Sequence, residues 1–137
     1  MTRSDGLEPE VGELFAGGHV VHLTTLRADG SPQSRPVWTI VDDGAVVFFT
    51  QPGSPKARNL ARDPRVALSV TDRGNSYRSA WLRGRVTRVI EGEPALEIID
   101  RIAHAYIGEP FPMRTGSVYV VGPDAQGSAT LPFSDPS

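Results

Sequence analysis

Apolar and polar residues along this chain alternate mostly at the two-residue spacing of half-buried β-strands. The pattern predicts six strands, at residues 19–26, 35–41, 45–50, 65–71, 77–90 and 117–121. Tight turns separate the first three strands, at residues 27–32 and 42–44, and the Asp29-Gly30 pair is typical of a hairpin. The first fifty residues therefore predict an antiparallel meander preceded by a short helix.

Helical spacing occurs in three places. Residues 7–15 predict a short helix, and residues 94–107 predict a longer one whose acidic residues come early and basic residues late, as the helix dipole favours. Between them Ser54 is a good N-cap, Pro55 suits the first helical position, and Asp63-Pro64 ends the helix. Six antiparallel strands with flanking helices predict a mainly β fold, a small barrel whose ends the helices close. The domain is expected to span residues 7–122, followed by a loose tail at 123–137.

Two strands depart from simple alternation. Val20-Val21 and residues 46–49 are apolar on both faces, so both faces must be covered. Either a dimer interface or the chain's own helices could cover them. The long strand at 77–90 has a clear apolar face, and Gly84 within it predicts a bend or a close backbone approach.

Composition narrows the class of protein. The 137 residues fit one domain, and the net charge of −2 argues against nucleic acid as a partner despite several arginines beside Tyr77 and Trp81. No apolar run is long enough for a membrane span, and the first six residues lack the apolar core of a signal peptide. The absence of cysteine excludes disulfides and fits a reducing compartment, so a cytoplasmic protein is expected.

The helix that starts at Ser54 has an unusual charge pattern. Lys56 and Arg58 lie near its positive end and Asp63 at its negative end, which the dipole disfavours. Lys56 is the one lysine among 14 basic residues. A hydroxyl cap, free N–H groups and added cations suit a phosphate, whereas the alternative is a surface helix with solvated charges.

Many enzyme motifs are absent. The sequence contains no GxGxxG, no P-loop and no GxSxG motif, and its three histidines are poorly spaced for zinc. Trp38, on the second predicted strand, is either a core residue or a wall for a planar ring.

Several motifs occur in an order that resembles a known family. They are Leu23-Thr24-Thr25-Leu26-Arg27-Ala28-Asp29-Gly30-Ser31-Pro32, Arg35-Pro36-Val37-Trp38, Val47-Phe48-Phe49-Thr50, Ser54-Pro55-Lys56-Ala57-Arg58-Asn59-Leu60, Asp63-Pro64-Arg65-Val66 and Leu82-Arg83-Gly84-Arg85-Val86. This order resembles the pyridoxamine 5′-phosphate oxidase-like split β-barrel family. Within it, the chain is most similar to the flavin/deazaflavin oxidoreductases described as probable coenzyme F420-dependent enzymes.

The resemblance implies a homodimer with two cofactor sites at its interface. It implies a phosphate site at Thr50, Ser54 and Lys56, with Arg58 or Asn59 nearby. The strand along the cofactor ring would comprise Arg35, Pro36, Val37, Trp38 and Thr39. Trp81 and Arg85 match a strand that reaches the site, from the same subunit or from its partner.

The implied activity is reduction of a small conjugated molecule by reduced F420, or alternatively by FMN. A non-catalytic flavin or haem carrier is a further alternative. No protein nucleophile is implied, since the cofactor carries the hydride. Substrate would stack on the exposed ring, with Tyr106 or Arg114 beside it. An acidic coenzyme tail could follow a cationic route over Arg58, Arg62, Arg78 and Arg85.

Overall fold

The computed structural model describes residues 6–136. Residues 1–5 and Ser137 lie outside that range. The prediction about a signal peptide falls mostly on residues 1–5. Within it the chain forms three helices and seven strands: α1 Pro9–Ala16, β1 Val21–Leu26, β2 Pro32–Val37, β3 Thr39–Asp42, β4 Ala45–Thr50, α2 Pro55–Arg62, β5 Arg65–Asp72, β6 Asn75–Ile90, α3 Glu93–Ile107 and β7 Ser117–Thr130. None of these helices combines the length and the apolar character that crossing a bilayer would need.

The seven strands form one antiparallel sheet in the order β2-β1-β5-β6-β7-β4-β3. Strands β2 and β3 lie at opposite edges, although Trp38 alone separates them in sequence. Val37 pairs with Val21 of β1, whereas Thr39 pairs with Phe48 of β4. The sheet therefore curls until one extended segment joins its two edges, which produces a mainly β, split-barrel architecture with flanking helices.

Two predicted strands differ from the observed ones. The single strand expected at residues 35–41 is two strands with different partners, because the sheet's curl carries the chain from one edge to the other. The last strand continues to Thr130 instead of ending at Val121, since residues 122–130 pair with β6. A loose tail from residue 123 is therefore wrong for residues 123–130. Beyond them the Phe133 ring contacts Tyr77 edge-on, with centroids 5.4 Å apart.

Apolar side chains form two clusters on the two faces of the curled sheet. Inside the curl, Val46 and Phe48 of β4 pack with Leu14 and Phe15 of α1. On the other face Val47 packs against Ile99 and the rest of α3. Of the two explanations for the two-faced apolar strand at 46–49, coverage by the chain's own helices is observed.

The long strand β6 has the two faces that the sequence predicts. Ala80, Leu82 and Gly84 are buried, while Trp81 is exposed. A Cβ at Gly84 would lie 2.0 Å from the carbonyl oxygen of Gly122, and the β6–β7 register shifts beside it. Gly84 therefore permits the close backbone approach that its position predicted.

Candidate functional site

The start of α2 is capped as the sequence predicts. Ser54 Oγ accepts a hydrogen bond of 3.1 Å from the Ala57 N–H, and it lies 2.9 Å from Thr50 Oγ1. Because Thr50 is buried and ends β4, this hydroxyl pair fixes the helix start against the end of that strand. The cap is consequently a rigid part of the fold.

The capped helix leaves one backbone donor for a ligand. Of the first four positions, Ser54 donates its N–H to the preceding turn, Pro55 has none, and Ala57 donates to the cap. Only the Lys56 N–H stays outside these bonds, so the several free donors that we expected reduce to one. Among residues 6–136, no carboxylate forms an ion pair with the Lys56 ammonium.

A cleft of about 220 Å³ lies beside Lys56. It brings together two segments that the sequence analysis assigned to the cofactor site and two that it did not. The lining residues are Pro36, Val37 and Trp38 at the β2–β3 junction, Lys56 of α2, Phe49 of β4, and Phe111 from the loop after α3. A single cation at one side of a mainly apolar cleft suits a ligand with an anionic group and a flat apolar part.

Aromatic rings build one wall of this cleft. Phe111 contacts both Phe49 and Trp38 edge-on, with centroids 5.0 Å and 6.1 Å apart. The other side of Trp38 stacks on Tyr106 at 5.0 Å, with the rings 9° from parallel. Trp38 is half-buried and combines the two roles considered for it, since it packs in the interior and also lines the cleft.

The loop that carries Phe111 is tied to α3. The Asp100 carboxylate accepts hydrogen bonds from the Phe111 N–H at 3.2 Å and from Arg114 at 2.9 and 3.1 Å. The bond from Arg114 lowers the pKa of Asp100. Arg114, which we expected beside a substrate, therefore anchors the loop instead of lining the cleft.

Asn59 has a structural position. It is buried, and its amide nitrogen donates to Thr25 Oγ1 at 3.0 Å and to Gln33 Oε1 at 3.1 Å. Its amide oxygen accepts a bond from Arg62 at 2.8 Å. The bonds to Thr25 and Gln33 hold α2 on β1 and β2. They use both N–H groups of the amide, so Asn59 has no donor left for a cofactor.

The other predicted residues near the cleft differ in whether their polar groups are free to bind a ligand. Arg35 is exposed and shares the face of β2 with Gln33, which contacts α2. Arg58 folds back onto the carbonyl of Gly53. Thr39 is fully buried, with its hydroxyl bonded to the Phe15 carbonyl at 2.7 Å, and therefore supports the wall from behind.

Trp81 and Arg85 lie outside the Lys56 cleft. Arg85 lines a second cleft of about 260 Å³ on the β1–β5–β6 face, together with Arg65 and Arg83. The Arg83 guanidinium lies 5.6 Å from the Trp81 ring centroid. No residue lines both clefts, so a single chain does not bring all the predicted cofactor residues together.

Arg78 does not belong to a cationic route. Its guanidinium bonds to Glu10 at 2.7 Å, to Asp72 at 2.9 Å, and to Glu13. These bonds raise the Arg78 pKa above its usual value. Including Arg78 among the tail-binding residues is wrong, because three carboxylates already surround it where α1 meets the β5–β6 hairpin.

Sequence reasoning missed Phe49 and Phe111 as lining residues and Asp100 as the anchor of the loop. Phe49 carried the signal of a two-faced apolar strand, whereas nothing in the Pro-containing loop singled out Phe111. His19 accepts a backbone hydrogen bond from Arg73, and no metal-binding cluster of His, Asp or Glu occurs among residues 6–136.

Known proteins are similar to this chain in sequence and in fold. The family pattern described as Pyridoxamine 5'-phosphate oxidase matches residues 7–127. A Pyridoxine/pyridoxamine 5'-phosphate oxidase from Kineococcus radiotolerans is 33% identical over 105 residues, which is 77% of this chain and 45% of that protein. The chain thus spans less than half the length of this curated relative.

Solved structures share the fold. One described as an F420 Reductase has a TM-score of 0.77 and 29% identity, and covers 88% of this chain and 98% of its own. A conserved hypothetical protein from Mycobacterium tuberculosis has a TM-score of 0.79 at 23% identity, with 100% and 97% covered. With the family pattern over most of its length and the same fold in these structures, this chain belongs to the pyridoxamine 5′-phosphate oxidase family.

Proposed function

We propose that this chain is an oxidoreductase that binds coenzyme F420 in the Lys56 cleft and reduces a small conjugated organic substrate. The cleft supports this function, because an ammonium with no carboxylate partner among residues 6–136 lies beside a hydroxyl-capped helix start and a flat aromatic wall. This donor set fits a phosphate attached to a planar ring system.

The residues have distinct roles in this proposal. Lys56 and its N–H bind the phosphate with Ser54, and Arg35 adds a second cation from β2. Residues 36–38 support one side of the ring, while Phe111 and Phe49 exclude water. When bound, the cofactor supplies the hydride, so the protein contributes binding, orientation and a dry surface.

We further propose a homodimer whose second subunit completes each site. The cleft of about 220 Å³ is smaller than the roughly 300–1,000 Å³ typical of ligand sites. Trp81 and Arg85 lie on another face of the same chain, where they are exposed. A partner that supplies them would enlarge the cleft and add cationic groups to it.

Complementation tests this arrangement. Light scattering should give about twice the chain mass of 14.8 kDa. Lys56→Ala and Arg85→Ala should each weaken cofactor binding, whereas their co-expression should restore about a quarter of the sites, since half of the dimers are mixed and each has one intact site. A monomeric protein, or mixed dimers that lack a tight cofactor site, would contradict the proposal that two subunits share each site.

F420 is favoured over FMN by two observations. The F420 Reductase structure covers 88% of this chain, and the β1–β5–β6 face presents Arg83, which has no ion-pair partner among residues 6–136, and the exposed Arg65 and Arg85, which pair with Asp63 and Asp124. An acidic tail beyond the phosphate would gain from these cations, and FMN has no such tail. FMN is the rival cofactor, since the ring wall and the Lys56 cleft suit both.

Parallel fluorescence titrations with F420 and FMN at two salt concentrations distinguish the cofactors. We expect tighter F420 binding that weakens as salt rises, because exposed charges are screened over about 10 Å at 0.1 M. Tight FMN binding without measurable F420 binding would refute the F420 assignment. Binding of neither cofactor would refute the proposed function.

A further inference from the structure

The chain crosses between the two edges of the sheet at Trp38. Val37 is the last residue paired with β1, and Thr39 is the first residue paired with β4. The backbone on both sides of Trp38 is thus fixed to different edges of the curled sheet. A residue that fixes this junction also sets the angle at which the indole enters the cleft.

The Tyr106 hydroxyl fixes this junction. It accepts a hydrogen bond from the Thr39 N–H at 3.1 Å and donates one to the His19 carbonyl at 2.7 Å. Thr39 is fully buried, and removing the hydroxyl would leave its N–H without this partner. One phenol on α3 therefore bonds the segment before β1 to the start of β3.

The ring of Tyr106 acts on Trp38 as well. The two rings stack 5.0 Å apart and 9° from parallel, while Phe49 and Phe111 contact the indole edge-on. Tyr106 itself does not line the cleft. It therefore contacts the wall from behind, which differs from the substrate-facing position that we expected for it.

We propose that Tyr106 is a positioning residue, which holds the Trp38 indole in the plane that a flat cofactor ring needs. The proposal rests on the proposed function, because that function names the ligand. Tyrosine is the side chain that meets both demands, since its ring stacks and its hydroxyl both donates and accepts. Phenylalanine would keep the stack and lose the junction bonds, and leucine would lose both.

The two tryptophans of the sequence make the test direct. In a Trp81→Phe background, Trp38 is the only tryptophan, so its fluorescence reports the wall alone. Tyr106→Phe and Tyr106→Leu are compared with Tyr119→Phe. Tyr119 controls for loss of a hydroxyl from a stacked tyrosine that bonds no junction, because it stacks on Phe48 at 5.3 Å and 9°, makes no side-chain hydrogen bond among residues 6–136 and lies outside the cleft.

The first measurement needs no ligand. We expect acrylamide quenching of Trp38 to rise about twofold in Tyr106→Phe and further in Tyr106→Leu, because the indole gains rotamer freedom. It should stay at the parent value in Tyr119→Phe. All variants are measured well below their melting temperatures, so general unfolding does not contribute. Unchanged quenching in both Tyr106 variants would overturn the proposal.

The second measurement is the affinity for F420 and FMN, made with Trp81 retained because Trp81 belongs to the proposed site. We expect Tyr106→Phe to weaken binding of whichever cofactor the parent binds by about tenfold, the factor that one lost hydrogen bond of ordinary strength can give. Equal weakening in Tyr119→Phe would show a merely structural effect and overturn the positioning role. A parent that binds neither cofactor refutes the proposed function, while the quenching result still decides whether Tyr106 positions Trp38.

Discussion

Arg78 and Lys56 are both cations of an arginine-rich, weakly acidic chain, yet their surroundings are opposite. Arg78 is enclosed by Glu10, Glu13 and Asp72, and only 19% of its side chain is exposed. Lys56 lies at a cleft and has no ion-pair partner among residues 6–136. A count of basic residues therefore does not locate an anion site. The carboxylates brought by distant segments decide which cation is available.

The largest expected effect is on cofactor affinity at Lys56. Lys56→Ala should weaken binding ten- to hundredfold, because a charge-assisted hydrogen bond contributes roughly 1.5–3 kcal/mol. The melting temperature should stay within about 1 °C, since the half-buried Lys56 makes no ion pair among residues 6–136. Isothermal titration and thermal melts measure both quantities, with Arg73→Ala as the control. Equal affinities in both variants would remove Lys56 from the site.

Arg78→Gln should lower the stability and leave the cofactor affinity nearly unchanged, which is the reverse of the result for Lys56→Ala. It leaves three carboxylates without their shared cation, so we expect the melting temperature to fall by about 5 °C. Cofactor affinity should change less than about twofold, because Arg78 contacts no residue of the cleft. Arg101→Gln, which removes one exposed ion pair with Asp42, is the control for loss of a single pair. A large loss of cofactor affinity with an unchanged melting temperature would show that Arg78 serves the site and not the fold.

A smaller effect is expected at the loop that carries Phe111. Asp100→Asn removes the ion pair with Arg114 and keeps an oxygen for the Phe111 N–H. Exposed ion pairs contribute little, so affinity should fall about threefold with a small change in stability. Arg101→Gln again serves as the control, since it removes an α3 ion pair away from the cleft. Identical titrations for both variants would show that the loop does not shape the site.

The smallest effect is the pH dependence of stability. Hydrogen bonds from the Gly74 N–H and Arg78 lower the pKa of Asp72, and Arg114 lowers that of Asp100. A carboxyl whose folded pKa is lowered stabilises the fold above its unfolded pKa of about 3.9 and loses that effect as pH falls through the folded pKa. Melting temperatures should therefore drop below about pH 4, and less steeply in Arg78→Gln. The same slope in both proteins would show that Arg78 does not couple to Asp72.

Local sequence predicted the parts of this molecule that depend on local chemistry. Ser54-Pro55 specified the start of α2, and alternation along β6 separated its buried Ala80 and Leu82 from the exposed Trp81. The order of motifs identified the family and with it the split-barrel fold. Each of these features can be predicted from neighbouring residues or from the order of motifs along the chain.

Features set by distant partners were not predictable in the same way. The extended segment around Trp38 looks uniform, and only the different partners of Val37 and Thr39 divide it into two strands. Residues 122–130 contain two glycines and a proline and look loose, but β6 supplies the hydrogen-bond partners that order them. At the site, the tertiary structure gives the Asn59 amide hydrogen-bond partners within the chain and brings Phe111 to the cleft.

Phosphate recognition by Lys56 can be measured directly with two flavins. FMN and riboflavin share a ring and differ in the phosphate, so the ratio of their dissociation constants isolates phosphate recognition. We predict that the parent protein prefers FMN by at least about tenfold, the factor of one charge-assisted bond, and that Lys56→Ala abolishes most of this preference. The same ratio in parent and variant would show that Lys56 does not recognise the phosphate.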